Sequence, residues 1–413
     1  MRREGWGVAV YLDHAATTPM RPSAREAYLE ALGLVGNPAS VHAHGQAARR
    51  LLEDAREDIA AALGCDPVEV VFTSGGTESI NLAVKGLFWS ANVDTSPTSP
   101  VGRAGILLTP AEHHATLDAV DWLVRRQGAE ASWLEVDGDA VLRPETVAAA
   151  VDDAEVGAAR PALLTTVLAN NEVGAVQPIR AIAREARRAA VPVHVDAVAG
   201  FGHVPVSLRE WGVDAVSVSA HKIGGPVGIG ALAVARGATL EALHHGGGQQ
   251  RALRSGTQDV AAAAAFAAAV RDAVADGEAE RARVRVLRDR LVAGLLAAEV
   301  GATLRGPALD ATLDDDGTGV PARIDANAHV TVEGVAGETL LFTLDMAGVS
   351  VSTGSACQAG VTEISHVVRS MGLDEPTARG AVRCTLGPMT TDADIDRFLA
   401  VLPAAVARAR AAS

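Results

Sequence analysis

Apolar strand-like runs alternate with helix-like stretches through the first two thirds of this chain, and that alternation restricts the fold more than any other feature. Residues 68–73 read as a strand, followed at once by Ser74-Gly75-Gly76-Thr77-Glu78 and an amphipathic helical stretch. Residues 106–109 form a second strand, leading through Glu112-His113-His114 into a helix that runs to Arg126. Residues 162–168 and 191–195 are further strands, with an Arg/Ala-rich helix over 179–190 between them. Residues 214–219 alternate apolar and polar positions, as a strand with one better-buried face does. Strand, helix, strand at these spacings implies a mainly parallel, doubly wound α/β sheet.

The character changes after Thr257. Alanine-rich helical sequence runs from Val260 towards Ala275, Gly277 breaks it, and a second helix is expected over 278–298. Strands at 329–333, 349–352 and 381–386, interleaved with helices, read as a smaller α+β domain. The expected division is a large domain over residues 16–262 and a small one built from 1–15 and 263–413.

With 413 residues the chain is long enough for such a pair of domains. Its net charge of −14 gives no overall electrostatic case for nucleic acid or an anionic membrane. The longest apolar run, 260–270, is far short of the ~20 residues that span a bilayer, and the start lacks the apolar core of a signal peptide. Cys65, Cys357 and Cys384 are too few and too scattered for a disulfide framework, and no C-x-x-C pair marks a zinc site. A reducing cytoplasm fits this usage.

The chemistry gathers at the ends of the expected strands. Lys222 follows a buried-looking strand and precedes the turn Ile223-Gly224-Gly225-Pro226. Lysine there is either a snorkelling surface residue or a functional amine able to form a Schiff base. Asp196 ends another strand; it is suited to pair with a cofactor ring nitrogen or, more plainly, to cap a turn. Gly75-Gly76-Thr77 between strand and helix offers backbone N–H groups to a phosphate, or is an ordinary strand–helix turn. His113 and Asn171 fall at equivalent positions. Ligands of parallel sheets bind at the carboxyl ends of strands, and five complementary residues there reinforce one another.

Taken in order, Asp13-His14-Ala15-Ala16-Thr17-Thr18-Pro19, Gly36-Asn37-Pro38, Thr73–Glu78, Glu112-His113-His114, Asn170-Asn171-Glu172, His194-Val195-Asp196, Ser219-Ala220-His221-Lys222, Arg254-Ser255-Gly256-Thr257 and Gly354-Ser355-Ala356-Cys357 resemble the cysteine desulfurases of the class V aminotransferase family, in the long-loop branch that serves iron–sulfur cluster assembly. The resemblance covers nearly the whole chain and implies the fold of type I pyridoxal-phosphate (PLP) transferases. It implies pyridoxal 5'-phosphate linked to Lys222, with Gly76, Thr77, Ser219 and His221 at the phosphate and Thr257 joining them from the partner of a homodimer. His113 would stack on the ring and take part in proton transfer, Asn171 would contact its oxygen side, and Asp196 would pair with its nitrogen. Arg383 and Asn37 would bind the carboxylate of L-cysteine; without the resemblance, Arg383 reads as a surface ion pair. Cys357, among small and polar neighbours in an accessible loop, would take the sulfur as a persulfide while alanine leaves. The acceptor would be an iron–sulfur scaffold or a tRNA-thiolation enzyme. No resident metal is implied, Cys357 being at most an iron–sulfur ligand shared with a scaffold. Cys65 and Cys384 read as structural.

Three positions depart from the family pattern. Ala199 stands where a glutamine usually faces the cofactor's phenolic oxygen, Gln250 replaces a glutamate, and Pro388 replaces an arginine. An unpaired oxygen at the first would cost ~1–3 kcal/mol. A selenocysteine lyase or another class V aminotransferase would share the cofactor site, and an adaptor that had lost the cofactor would be favoured by Ala199.

Overall fold

A computed structural model of the chain describes residues 10–93, 102–156, 160–275, 277–313, 319–354 and 364–412. The chain enters through a two-residue strand, β1 (Val10–Tyr11). It then forms β2 (Val70–Thr73), β3 (Gly105–Leu108), β4 (Glu130–Trp133), β5 (Pro161–Val167), β6 (Val193–Asp196), β7 (Ala215–Ser219) and β8 (Gly230–Val234). Among the described residues these seven strands, β2 to β8, make one sheet in the order β2-β8-β7-β6-β5-β3-β4. β8 runs antiparallel to both its neighbours and the other pairs are parallel.

Both faces of this sheet are covered, which explains its apolar strands. β5 is buried at every position, as expected of a central parallel strand. Phe72, Leu107 and Leu164 point to one core, shared with helices Pro22–Leu32, Ala43–Ala62 and Ile179–Arg188. Val71, Ile106 and Leu163 point to the other, under helices Gly76–Ser90 and His114–Gln127. The period-2 alternation of a strand puts neighbours on opposite faces. Strand order reverses between β3 and β5, so the turns after these two strands flank a crevice suited to a ligand.

The C-terminal part contributes β9 (Ala302–Leu304), β10 (Thr312–Leu313), β11 (Val320–Pro321), β12 (Asn327–Val332), β13 (Val349–Ser350) and β14 (Ala381–Thr385). An antiparallel sheet β14-β12-β9 packs on helices Gly277–Ala297 and Asp392–Ala412. β1 pairs in parallel with β13, and Val10 and Leu12 join this second core.

Helix Val260–Ala275 packs on the large-sheet side: Ala263, Phe266 and Val270 are buried in the first core, Ala261 and Ala264 join Ala31 in a small satellite cluster, and its small alanines let it lie close against helices Pro22–Leu32 and Ala43–Ala62. One expectation is corrected. The strand expected from Val68 begins at Val70, because Pro67–Glu69 turn as a short 3-10 helix and the Asp66 N–H donates to Glu69 Oε2 at 2.8 Å.

Candidate active site

The carboxyl ends of β2, β3, β5, β6 and β7 open onto one cavity of about 230 Å³. Gly76, Thr77, His113, Asn171, Asp196, His221 and Lys222 line it. Each is a residue that the sequence singled out, and each sits just beyond or at the end of a strand.

Helix Gly76–Ser90 starts at the cavity wall, and its first N–H groups have no partner within the helix. The turn before it requires glycine twice. Gly75 has φ +148°, and a Cβ on Gly76 would come within 2.7 Å of Val198 Cγ2. Glu78 ties the turn down: it accepts from the Ser74 N–H at 2.7 Å and from Arg254 Nε at 2.9 Å. Ser219 is buried at the end of β7 with its Oγ near Gly75 of the turn, and is not among the residues that line the cavity.

Lys222 closes the 3-10 turn Ala220–Lys222 after β7. Its Nζ donates to the carbonyls of Ala15, at 2.5 Å, and Ala16, at 3.1 Å. Burial and the nearby Arg383 cation pull its pKa down to about 8, against the pull of Asp196 and Asp13. Burial raises Asp196 to about 6, although it accepts from the Val198 N–H at 2.9 Å and faces Lys222. A readily neutralised amine and a carboxylate thus look into the same space.

His113 caps helix His114–Gln127, its Nδ1 accepting from the Ala115 N–H at 3.1 Å. The neutral ring therefore carries its proton on Nε2. Burial, Lys222 and the two histidines His114 and His366 lower its pKa to about 4. His221 is likewise held near 4 by burial and Lys222, and its Nδ1 lies 3.2 Å from Thr17 Oγ1.

Two buried glutamates have more to do than the sequence suggested. Glu112 accepts from Thr109 Oγ1 at 2.7 Å on Oε1, its Oε2 is without a partner, and burial lifts its pKa to about 8. Glu172 lies against the ends of the segment that contains Cys357. Strand-end placement was the available signal for both; the Glu112 side chain bonds locally to Thr109, whereas Ser365 reaches Glu172 from far along the chain and leaves no local pattern.

Other expected residues lie apart from the cavity lining. Arg383 is buried on β14, where Nη2 donates to Asp13 Oδ1 at 2.7 Å and Nη1 to the Asn171 carbonyl at 2.9 Å. This is an internal pair, not a surface one. Asn37 is exposed and accepts from the Ala39 N–H at 2.9 Å, and Thr257 is exposed. Cys357 lies outside the described residues. Burial raises Cys65 and Cys384 to about 12, which keeps both as thiols. Among the described residues no cluster of metal-ligating side chains occurs, and no helix is long and apolar enough to cross a membrane.

Ala199 lines this cavity and also a smaller one of about 20 Å³ behind Lys222, which Asn171, His14 and His203 help to enclose. A space of that size holds about one water molecule.

A lysine amine at a strand end, opposite a buried carboxylate and beside a helix N-terminus, is an arrangement suited to a phosphorylated carbonyl compound. Residues 10–398 match the family model described as aminotransferase class-V, and the chain belongs to that family. It is 47% identical to the IscS-like cysteine desulfurase of Mycobacterium tuberculosis, over 98% of each chain. A solved NifS-like protein superposes with a TM-score of 0.84 at 32% identity, covering 97% of this chain and 99% of that one. The solved structure of SspA in complex with cysteine superposes with a TM-score of 0.73 at 28% identity, covering 92% of this chain and 99% of that one. Within the family the chain stands with the cysteine desulfurases.

The residues present fit pyridoxal phosphate. The cavity presents an amine whose pKa is pulled down to about 8, a buried carboxylate facing it, and N–H groups opening a helix beside a glycine that leaves no room for a side chain.

Proposed function

We propose that this chain is a cysteine desulfurase that binds pyridoxal phosphate at Lys222, takes sulfur from L-cysteine and holds it as a persulfide on Cys357. The observation that carries the reading is the Lys222 amine facing the buried Asp196 across a cavity at the strand ends. When bound, pyridoxal phosphate supplies an electron sink for bonds broken at the α- and β-carbons of an amino acid.

Each residue then has a task that suits its surroundings. Lys222 Nζ would hold the cofactor's carbonyl carbon and move protons at the substrate, which its lowered pKa favours. Asp196 would offer its negative charge to the cofactor's ring nitrogen. Thr77, Ser219, His221 and the N–H groups opening helix Gly76–Ser90 hold the phosphate, with Thr257 supplied by the second chain of a homodimer. His113 forms the wall against the ring and, with its proton on Nε2, serves proton transfer. Asn171 contacts the ring's oxygen side. Arg383, helped by Asn37, binds the substrate carboxylate through a planar guanidinium suited to it.

The Cys357 sulfur attacks the sulfur of the substrate. The new S–S bond forms as the substrate's carbon–sulfur bond breaks, the electron pair of that bond stays on carbon, and a proton completes the methyl group of alanine. The persulfide passes to an acceptor protein of the iron–sulfur scaffold or tRNA-thiolation kind.

The test is alanine and sulfide release from L-cysteine with a thiol reductant, comparing wild type with Cys357→Ala while the visible spectrum is recorded. Cofactor absorption in both, with turnover in wild type only, is expected. Wild type that binds cofactor without releasing alanine would leave another class V activity. A colourless, inert protein would favour an adaptor, the second reading, for which Ala199 is the motivating observation.

A further inference from the structure

The described residues on either side of segment 355–363, which contains Cys357, meet at one buried carboxylate. On the leading side, Ser352 and Arg383 exchange backbone hydrogen bonds of 3.1 and 2.7 Å, and the Gly354 N–H donates to Ser352 Oγ at 3.0 Å. Gly354, with φ +89°, then lies so close to Glu172 that a Cβ there would come within 2.8 Å of Oε2. On the trailing side, Ser365 Oγ donates to the same Oε2 at 2.5 Å. Ser365 Oγ also accepts from the Val368 N–H at 3.2 Å, capping helix His366–Ser370. His366 is fixed in turn, its Nε2 2.9 Å from the Glu112 carbonyl and its ring 4.8 Å from that of His114.

Glu172 itself is immobilised. It is 2% exposed, its N–H donates to Asn170 Oδ1 at 2.9 Å, and its carbonyl accepts from Asn327 Nδ2 at 2.7 Å. The next residue back, Asn171, lines the cavity and receives Arg383 Nη1 on its carbonyl. One short stretch after β5 therefore touches the cavity, Arg383 and both flanks of the cysteine segment. A carboxylate accepts several hydrogen bonds and donates none when ionised, which suits it to gather separate pieces of chain.

We propose that Glu172 is a positioning residue for persulfide formation: it bonds Ser365 and packs against Gly354 beside the wall that carries Asn171, and so holds together the two described ends of the segment that contains Cys357. The inference rests on the desulfurase reading of the site. Pinning both ends of a short segment shrinks the volume its centre samples, and misplacement of a reacting group by about 1 Å can cost roughly 100-fold in rate.

The experiment compares Glu172→Ala, Glu172→Gln and Ser365→Ala in the cofactor-loaded full chain, and follows two readouts. The first is kcat and KM for alanine release from L-cysteine; the second is the rate at which iodoacetamide alkylates Cys357. Glu172→Ala is expected to lower kcat roughly 10–100-fold with KM within about twofold and cofactor absorption unchanged. The glutamine variant keeps an acceptor for Ser365 Oγ and is expected to restore most of kcat. Alkylation should change more than about threefold in the alanine variant and little in the glutamine one. Wild-type kcat and alkylation in Glu172→Ala would overturn the proposal, as would a loss confined to KM. Should Glu172→Ala fail to fold, Ser365→Ala carries the test, with a fall in kcat expected and unchanged kcat overturning it. If the wild-type chain itself releases no alanine, the desulfurase reading fails, while equal alkylation across the variants would separately refute the anchoring.

Discussion

Arg383 and Asp13 form a partly buried ion pair at 2.7 Å that joins the segment after β1 to β14 beside the cavity. The same guanidinium holds the Asn171 carbonyl at 2.9 Å, and its Nε is buried without a partner. These bonds use two of the five guanidinium N–H groups, so Arg383, near a lysine and the ends of the cysteine segment, keeps donors for a further carboxylate. Arg383→Lys keeps the charge but loses the fork. Losing one charge-assisted hydrogen bond, about 1.5–3 kcal/mol, should raise KM for L-cysteine roughly 10–100-fold. Steady-state kinetics with cofactor absorption as control checks it; an unchanged KM removes Arg383 from substrate binding.

The pKa of Asp196, raised to about 6 by burial, gives a pH dependence that needs no turnover to observe. Below pH 6 the empty site holds a neutral acid, which pairs poorly with a protonated ring nitrogen. Cofactor affinity of the apoprotein should therefore fall as pH drops from 7 to 5, and Asp196→Asn should be weak throughout. The sign for stability is opposite: between the ordinary 3.8 and about 6 the folded state holds more protons than the unfolded one, so this group's contribution shrinks as pH rises through that window. Cofactor titration by absorbance at several pH values checks the binding slope, and a flat profile would show that Asp196 is not the partner.

Much of the site was legible because strand-end residues are local. Lys222, Asp196, His113 and Asn171 each follow a short apolar run whose burial can be read from its own residues. Arg383 was legible only through resemblance, since its partner Asp13 lies at the far end of the chain. The side taken by alanine-rich helix Val260–Ala275 was not legible, because it looks neutral in sequence and close packing against two earlier helices decides it. Glu172 escaped for the same reason: what it holds comes from residues 354 and 365, far along the chain.

Ala199 makes the site roomier than the family pattern expects, opening on one side to the cavity and on the other to a water-sized space behind Lys222. A glutamine there would fill that space and offer a hydrogen bond to the cofactor's phenolic oxygen. One net hydrogen bond contributes about 0.5–1.5 kcal/mol, so Ala199→Gln should tighten cofactor binding roughly 2–10-fold. Equilibrium titration of the apoprotein measures it. Weaker binding would mean that the space is needed by a bound water whose contacts are already better.

Gly76 and Val198 supply the last prediction, which tests the phosphate end of the site by geometry alone. A Cβ on Gly76 would come within 2.7 Å of Val198 Cγ2 and 3.3 Å of Cγ1, closer than packed carbons approach. Gly76→Ala must therefore push the start of helix Gly76–Ser90 away from the loop after β6, and its N–H groups with it. Shifted donors serve a phosphate less well, and overpacking of this kind typically costs 1–3 kcal/mol. Cofactor affinity should fall roughly 5–100-fold. Adding Val198→Ala removes both clashing methyl groups, so the double variant should recover most of the loss. Recovery in the double variant places the effect in the contact. Without recovery, the glycine is needed for the backbone's own approach to the phosphate, and the Val198 clash is incidental.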